Sequence, residues 1–144
     1  EIADAAQRLH RPEPRVELGG RLRGLAHAAI DISDGLAGDL HHVLERSGVA
    51  ATLNYAQVPR SAAFGRLNNP ALEKDCVLSG GDDYELLFTA SSDRRGALEA
   101  LSRELRIALS RIGSITRGEP KLTVVDEGGR PVAHRGGFDH FGAP

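Results

Sequence analysis

The chain has 144 residues, with 18 Lys+Arg against 20 Asp+Glu, a formal net charge of −2, and one cysteine. That length suits a single domain with its own core. The near-balanced charge and 4% aromatic content argue against a nucleic-acid surface, the lone Cys76 excludes an internal disulfide or a CxxC metal site and fits a reducing cytoplasm, and no apolar run reaches the roughly 18 residues of a membrane span.

Over residues 1–10, Ile2, Ala5, Ala6 and Leu9 share one helical face. Pro12 and Pro14 then break the helix into an extended connector. Methionine is absent and Glu1 comes first, so the opening segment is expected to be the tail of something upstream. Gly19–Ala26 reads as a short helical turn, and Ala28–Ile32 as a buried strand carrying one carboxylate, Asp31. Leu36, Leu40, Val43 and Leu44 recur at helical spacing. Ser33 or Asp34 is the expected N-cap of that helix and Gly48 its stop.

Ala51–Tyr55 reads as a strand. Residues 56–75 read as loop, with room for a short helix over Ser61–Leu67, and Cys76–Leu78 as a brief apolar run with a buried thiol. Tyr84–Thr89 is a strong strand signal. Ser92 is the expected cap of a helix that turns Ala97, Leu98, Leu101 and Leu105 inward. Ile112–Ile115 and Leu122–Val125 read as strands, and Asp126–Gly129 as a turn into a last strand near Pro131–Ala133. The alternation predicts a layered α+β or α/β domain.

Three segments carry chemistry. In Asp31-Ile32-Ser33-Asp34-Gly35 a strand end feeds a helix start, where backbone amides and the helix dipole favour phosphate. Two carboxylates three residues apart suit Mg²⁺, which bridges oxygen ligands to phosphates, and the Ser33 hydroxyl is a donor for a phosphate oxygen. The same residues also make an ordinary helix cap. In Ser79-Gly80-Gly81-Asp82-Asp83-Tyr84-Glu85, Asp82 is the residue expected to face a ligand, with a tight acidic turn as the alternative and Glu85 on the outer face of the strand. In the tail, Phe138 of Phe138-Asp139-His140-Phe141 either stacks on a cationic ring or anchors the tail in the core. His41 and His42 lack HExxH spacing, and no GxSxG, Walker A or GxGxxG pattern occurs.

Taken in order, Ala29-Ile30-Asp31-Ile32-Ser33-Asp34-Gly35-Leu36, Ser79 to Thr89, and Gly137-Phe138-Asp139-His140-Phe141 resemble the C-terminal domain of bacterial thiamine-monophosphate kinases. That family belongs with the phosphoribosyl-aminoimidazole (AIR) synthetases and selenophosphate synthetases, and the likeness runs over essentially the whole chain. It implies an α+β fold, a mixed β-sheet with helices packed on its faces. It also implies that residues 1–144 are one domain, the C-terminal half of a longer two-domain kinase, with 1–16 as the connector from the other half.

The family moves the γ-phosphate of ATP to thiamine monophosphate, giving thiamine diphosphate, with Mg²⁺ assisting. By resemblance, Asp31 and Asp34 are metal ligands, Ser33 touches ATP, and Asp82 and Phe138 contact the thiamine substrate. Asp82 stands where the family usually has Glu, one methylene longer. The resemblance also implies a cytoplasmic homodimer for the full-length enzyme, no nucleic-acid or membrane partner, and no kinase activity from the 144 residues alone. Two other readings stay open: another AIR- or selenophosphate-synthetase-like ATP-using enzyme, or a non-catalytic phosphate-binding module.

Overall fold

Short apolar runs separated by glycine and proline make short elements, and a computed structural model of the chain describes them for residues 6, 7, 9–61, 64–66 and 68–134. In chain order these are α1 (Val16–Arg21), β1 (Ala26–Asp31), α2 (Leu36–Ser47), β2 (Val49–Asn54), α3 (Pro70–Ser79), β3 (Leu86–Ala90), α4 (Arg95–Leu105), β4 (Gly113–Arg117) and β5 (Lys121–Val125). Residues 6, 7, 9 and 10 are helical and the prolines that follow are extended, with Leu9 exposed. Gly48 closes α2 in the left-handed region, its N–H returning to the carbonyls of Leu44 and Glu45.

The strands form two sheets. β1 and β3 pair antiparallel, with Asp31 opposite Leu86 and Ile30 opposite Leu87. β2 is the centre of a mixed sheet, antiparallel to β4 and parallel to β5. The expected turn follows β5. The Asp126 carboxylate accepts from the backbone N–H groups of Gly128 and Arg130, and Pro131 forms a single bridge with Val125.

Two apolar clusters meet at β3. Leu87 faces a core of Leu36, Leu40 and Leu44 from α2, Leu53 from β2, Leu78 from α3 and Val124 from β5. Leu86 and Phe88, one residue to either side, face the second cluster of Leu18 and Leu22 with Leu101 of α4. Strand alternation thus makes the β1–β3 ribbon the wall shared by both clusters, and fixes where its Asp31 end sits.

Several expectations change. Residues 70–75, read as loop, and the apolar run 76–78 belong to one helix: the Asn69 side chain accepts from the Leu72 N–H at 3.2 Å, and Pro70 occupies the first turn. Cys76 is exposed, not buried. It lies two residues, about 200° around the helix, from Leu78, the position α3 buries. Asp31 is exposed too, because β1 alternates and its Ile30 face is the one turned to the core. Neither Ser33 nor Asp34 caps α2, whose N-cap position is Gly35 without a side-chain bond. Before α4, residues Ser92–Arg94 form a 3₁₀ turn whose preceding Ser91 hydroxyl donates to Asp93; Leu101 is buried as expected, but Ala97 is exposed.

Candidate functional site

The two acidic loops lie side by side and are joined through their backbones. β1 runs into 32–35 and β3 is entered from 80–85, so the antiparallel pairing continues past the strand ends. Ile32 N–H donates to the Glu85 carbonyl at 2.9 Å, Tyr84 N–H to the Ile32 carbonyl at 2.8 Å, and Asp82 N–H to the Ser33 carbonyl at 2.9 Å. The glycines allow this approach. A Cβ on Gly35 would lie 2.8 Å from the Ser79 carbonyl carbon, and one on Gly81 would overlap the Ser33 carbonyl oxygen. Gly35 also holds φ 107°, which an L side chain strains to adopt.

The loops bring the first two sets of expected site residues together. Asp31 and Asp82 are exposed, while Ser33 and Asp34 are half-buried. Asp82 (φ 64°) and Tyr84 (φ 51°) both sit in the left-handed region, held there by the ladder on either side. The Tyr84 hydroxyl donates to Asp82 Oδ1 at 3.0 Å. That bond to the Asp82 carboxylate, with the negative charges of Asp82, Asp31 and Asp34, raises the phenol above its usual range. The same three carboxylates therefore act on one exposed ring. Phe138 lies outside the described residues.

The backbone of the turn before α2 is held from within. The N–H groups of Ser33 and Asp34 donate to Asp39 Oδ2 at 2.9 and 3.1 Å. Asp39 is the buried charged residue of the described chain, 3% exposed, and it sits in the first turn of α2, where a carboxylate also suits the helix dipole. Sequence reasoning passed over it, although a carboxylate just inside a helix start is a usable signal.

A second residue it passed over is Arg15. Its guanidinium forks onto Glu85, Nε to Oε2 at 2.8 Å and Nη2 to Oε1 at 2.7 Å, and its side chain is 12% exposed. The hydrogen bond to Glu85, aided by the charges of Glu85 and Glu13 against partial burial, raises Arg15 above its usual value. Glu85, expected simply to face outward, thus ties the connector to the acidic loop.

The donor set suits a hard cation in kind. Mg²⁺ is commonly held by one or two carboxylates and completed by water and phosphate oxygens, and Asp31 and Asp34 offer two from one strand end. Among the described residues, no three His, Cys, Asp or Glu side chains cluster as a full metal cage. A concavity lined in part by Tyr55, Arg60, Asp126 and Arg130 shares no residue with these loops. Its arginines are held by Glu73 and Asp126. Among the described residues no helix is long and apolar enough to cross a membrane.

Comparison with known proteins gives the chain's relatives. Residues 2–125 match the family described as AIR synthase related protein, C-terminal domain. The thiamine-monophosphate kinase of Escherichia coli K12 is 39% identical over 134 residues, covering 93% of this chain and 41% of that protein. That of Haemophilus influenzae is 40% identical over 139 residues, covering 94% and 42%. The crystal structure of the Stenotrophomonas maltophilia thiamine-monophosphate kinase superposes with a TM-score of 0.77 at 50% identity, over 82% of this chain and 37% of that one. A structure of AaThiL complexed with AMPPCP and TMP superposes with a TM-score of 0.72 at 30% identity, over 94% of this chain and 40% of that one. The chain thus spans about two-fifths of the length of the curated relatives it matches.

Proposed function

The chain belongs to the AIR synthase related family as its C-terminal domain, and from that premise we propose that it is the substrate-side part of a thiamine-monophosphate kinase. The observation that carries this reading is the juxtaposition of two acidic loops, joined at Ser33 and Asp82, in a chain whose relatives bear that name. The AMPPCP and TMP complex of a 30% identical structure supports ATP and thiamine monophosphate as the ligands.

In the proposed reaction a terminal phosphate oxygen of thiamine monophosphate attacks the γ-phosphorus of ATP. The bond from that phosphorus to the β–γ bridging oxygen breaks, and ADP leaves with the electron pair. The domain's part is positioning and charge. The Ser33 hydroxyl donates to a phosphate oxygen of ATP. Asp82, steadied by the Tyr84 hydroxyl, accepts a hydrogen bond from the thiamine side. Phe138 places its ring against the cationic thiazolium. Asp31 and Asp34 would hold Mg²⁺, which when bound offsets the negative charge of the phosphates.

The remaining ligands and the dimer contact belong, in this reading, to the part of the relatives that this chain does not span. The 144 residues alone are therefore inactive. The single cysteine and the absence of a long apolar helix among the described residues support a cytoplasmic setting. A chimera tests the substrate contact: this chain replaces the matching region of the Escherichia coli relative. Phe138→Ala is expected to raise the KM for thiamine monophosphate about tenfold and leave that for ATP nearly unchanged. The reverse order would remove Phe138 from the substrate site.

A further inference from the structure

The Ser33–Asp34 turn is the hinge of the candidate site, and its backbone is held from two directions. Above, the Ser33 carbonyl accepts the Asp82 N–H. Below, both N–H groups of the turn end on a single oxygen, Asp39 Oδ2. Asp39 reaches backward, out of its own helix, to groups five and six residues earlier. A buried carboxylate is costly unless it is hydrogen-bonded, and the two N–H groups that end on Asp39 meet that need. A cap that served only the helix would bond the free amides of the first turn. Asp39 instead spends its bonds on the two residues whose side chains face the ligands in the proposed function.

We propose that Asp39 is the positioning residue of the site. Its two bonds fix the peptide planes of Ser33 and Asp34, and through them the directions of the Ser33 hydroxyl and the Asp34 carboxylate. The same turn then passes the constraint on: Ser33 carbonyl to Asp82 N–H, and Asp82 carboxylate to the Tyr84 hydroxyl. Asp39 therefore sets both acidic loops from beneath without touching a ligand. It also occupies the Ser33 and Asp34 amides of the turn, so in that turn phosphate is received at the Ser33 hydroxyl rather than at these amides. The bracing stands on the geometry; its consequence for ligands rests on the function proposed above.

The test is amide exchange and Mg²⁺ titration of the ¹⁵N-labelled 144-residue chain by NMR, with D39N and D39A. Asn keeps one oxygen that accepts both N–H groups, so D39N is the conservative rescue; Ala keeps none. The Ser33 and Asp34 amides are expected to exchange about tenfold faster in D39A than in the parent chain or D39N, with the β2 and β5 amides unaffected. Mg²⁺ alone is expected to shift the resonances of Asp31, Ser33 and Asp34, with an apparent affinity about tenfold weaker in D39A and recovered in D39N. Equal exchange, or equal Mg²⁺ affinity, in a folded D39A would overturn the proposal.

If D39A fails to fold, the parent chain labelled with both ¹³C and ¹⁵N decides: scalar coupling across the hydrogen bonds, from the Asp39 carboxylate carbon to the two amide nitrogens, supports the bracing and its absence refutes it. Mg²⁺ that shifts nothing in the parent chain counts against Asp31 and Asp34 as ligands, and so against the proposed function, while exchange and coupling still decide the role of Asp39.

Discussion

At the scale of single residues the site is a set of backbones held by hydrogen bonds. Tyr84 reports on it. The Asp82 carboxylate accepts a hydrogen bond from the phenol hydroxyl and so favours the neutral form, holding the group above its usual value of about 10. A raised folded-state value contributes stability that is present below the unfolded value and lost as pH rises through the folded one. Asp82→Ala is therefore expected to lower the Tyr84 midpoint. With Tyr55→Phe leaving Tyr84 as the only tyrosine, absorbance at the tyrosinate band reads it directly; an unchanged or higher midpoint would break the assignment.

Gly81→Ala is expected to cost about 1–3 kcal/mol, because its Cβ meets the Ser33 carbonyl, which belongs to the ladder and has little room to yield. Urea unfolding measures it, and a neutral result would mean the loops are not packed as described. The types of these residues were legible in the sequence: acids at a strand end, glycines beside them. Their partners were not. Nothing in the string places Asp39 beneath Ser33, or Arg15 against a glutamate 70 residues away, since both depend on tertiary packing.

At the scale of elements, strong periodicity was legible and weak periodicity was not. The α2 spacing gives Leu36–Ser47 and its Gly48 stop because three leucines fall on one stripe. α3 escaped because it buries Leu78 alone among its ten residues, so no stripe exists to be read. Its start was written plainly, however, as Asn69 followed by Pro70. The strand through Asp31 was readable as a strand, but its exposed face was not, since small alanines alternate with one another and hide the two-residue period.

The connector belongs to this scale as well. Arg15 pins 11–15 to the entrance of β3. Arg15→Ala is expected to cost about 1 kcal/mol, limited by the exposure of Glu85. Arg15→Lys should recover only part, because an ammonium cannot fork onto both oxygens. Thermal unfolding at low and high salt checks this; a loss independent of salt would point to packing rather than charge.

At the scale of the molecule, the β1–β3 ribbon is the organising feature. Both apolar clusters press on it, and both acidic loops leave from its one end, so the core that stabilises the domain also orients the site. The chain matches about two-fifths of its curated relatives, and its carboxylates fall short of a complete metal cage among the described residues.

Product analysis by mass tests the proposed phosphate transfer to thiamine monophosphate most directly. The chimera with the Escherichia coli relative, given ATP, Mg²⁺ and thiamine monophosphate, is predicted to form thiamine diphosphate. The same chimera with Asp34→Asn is predicted to lose at least about a hundredfold of that rate while still folding, and the 144-residue chain alone to form none. A folded chimera that makes no thiamine diphosphate, or that phosphorylates a different acceptor, would contradict the claim.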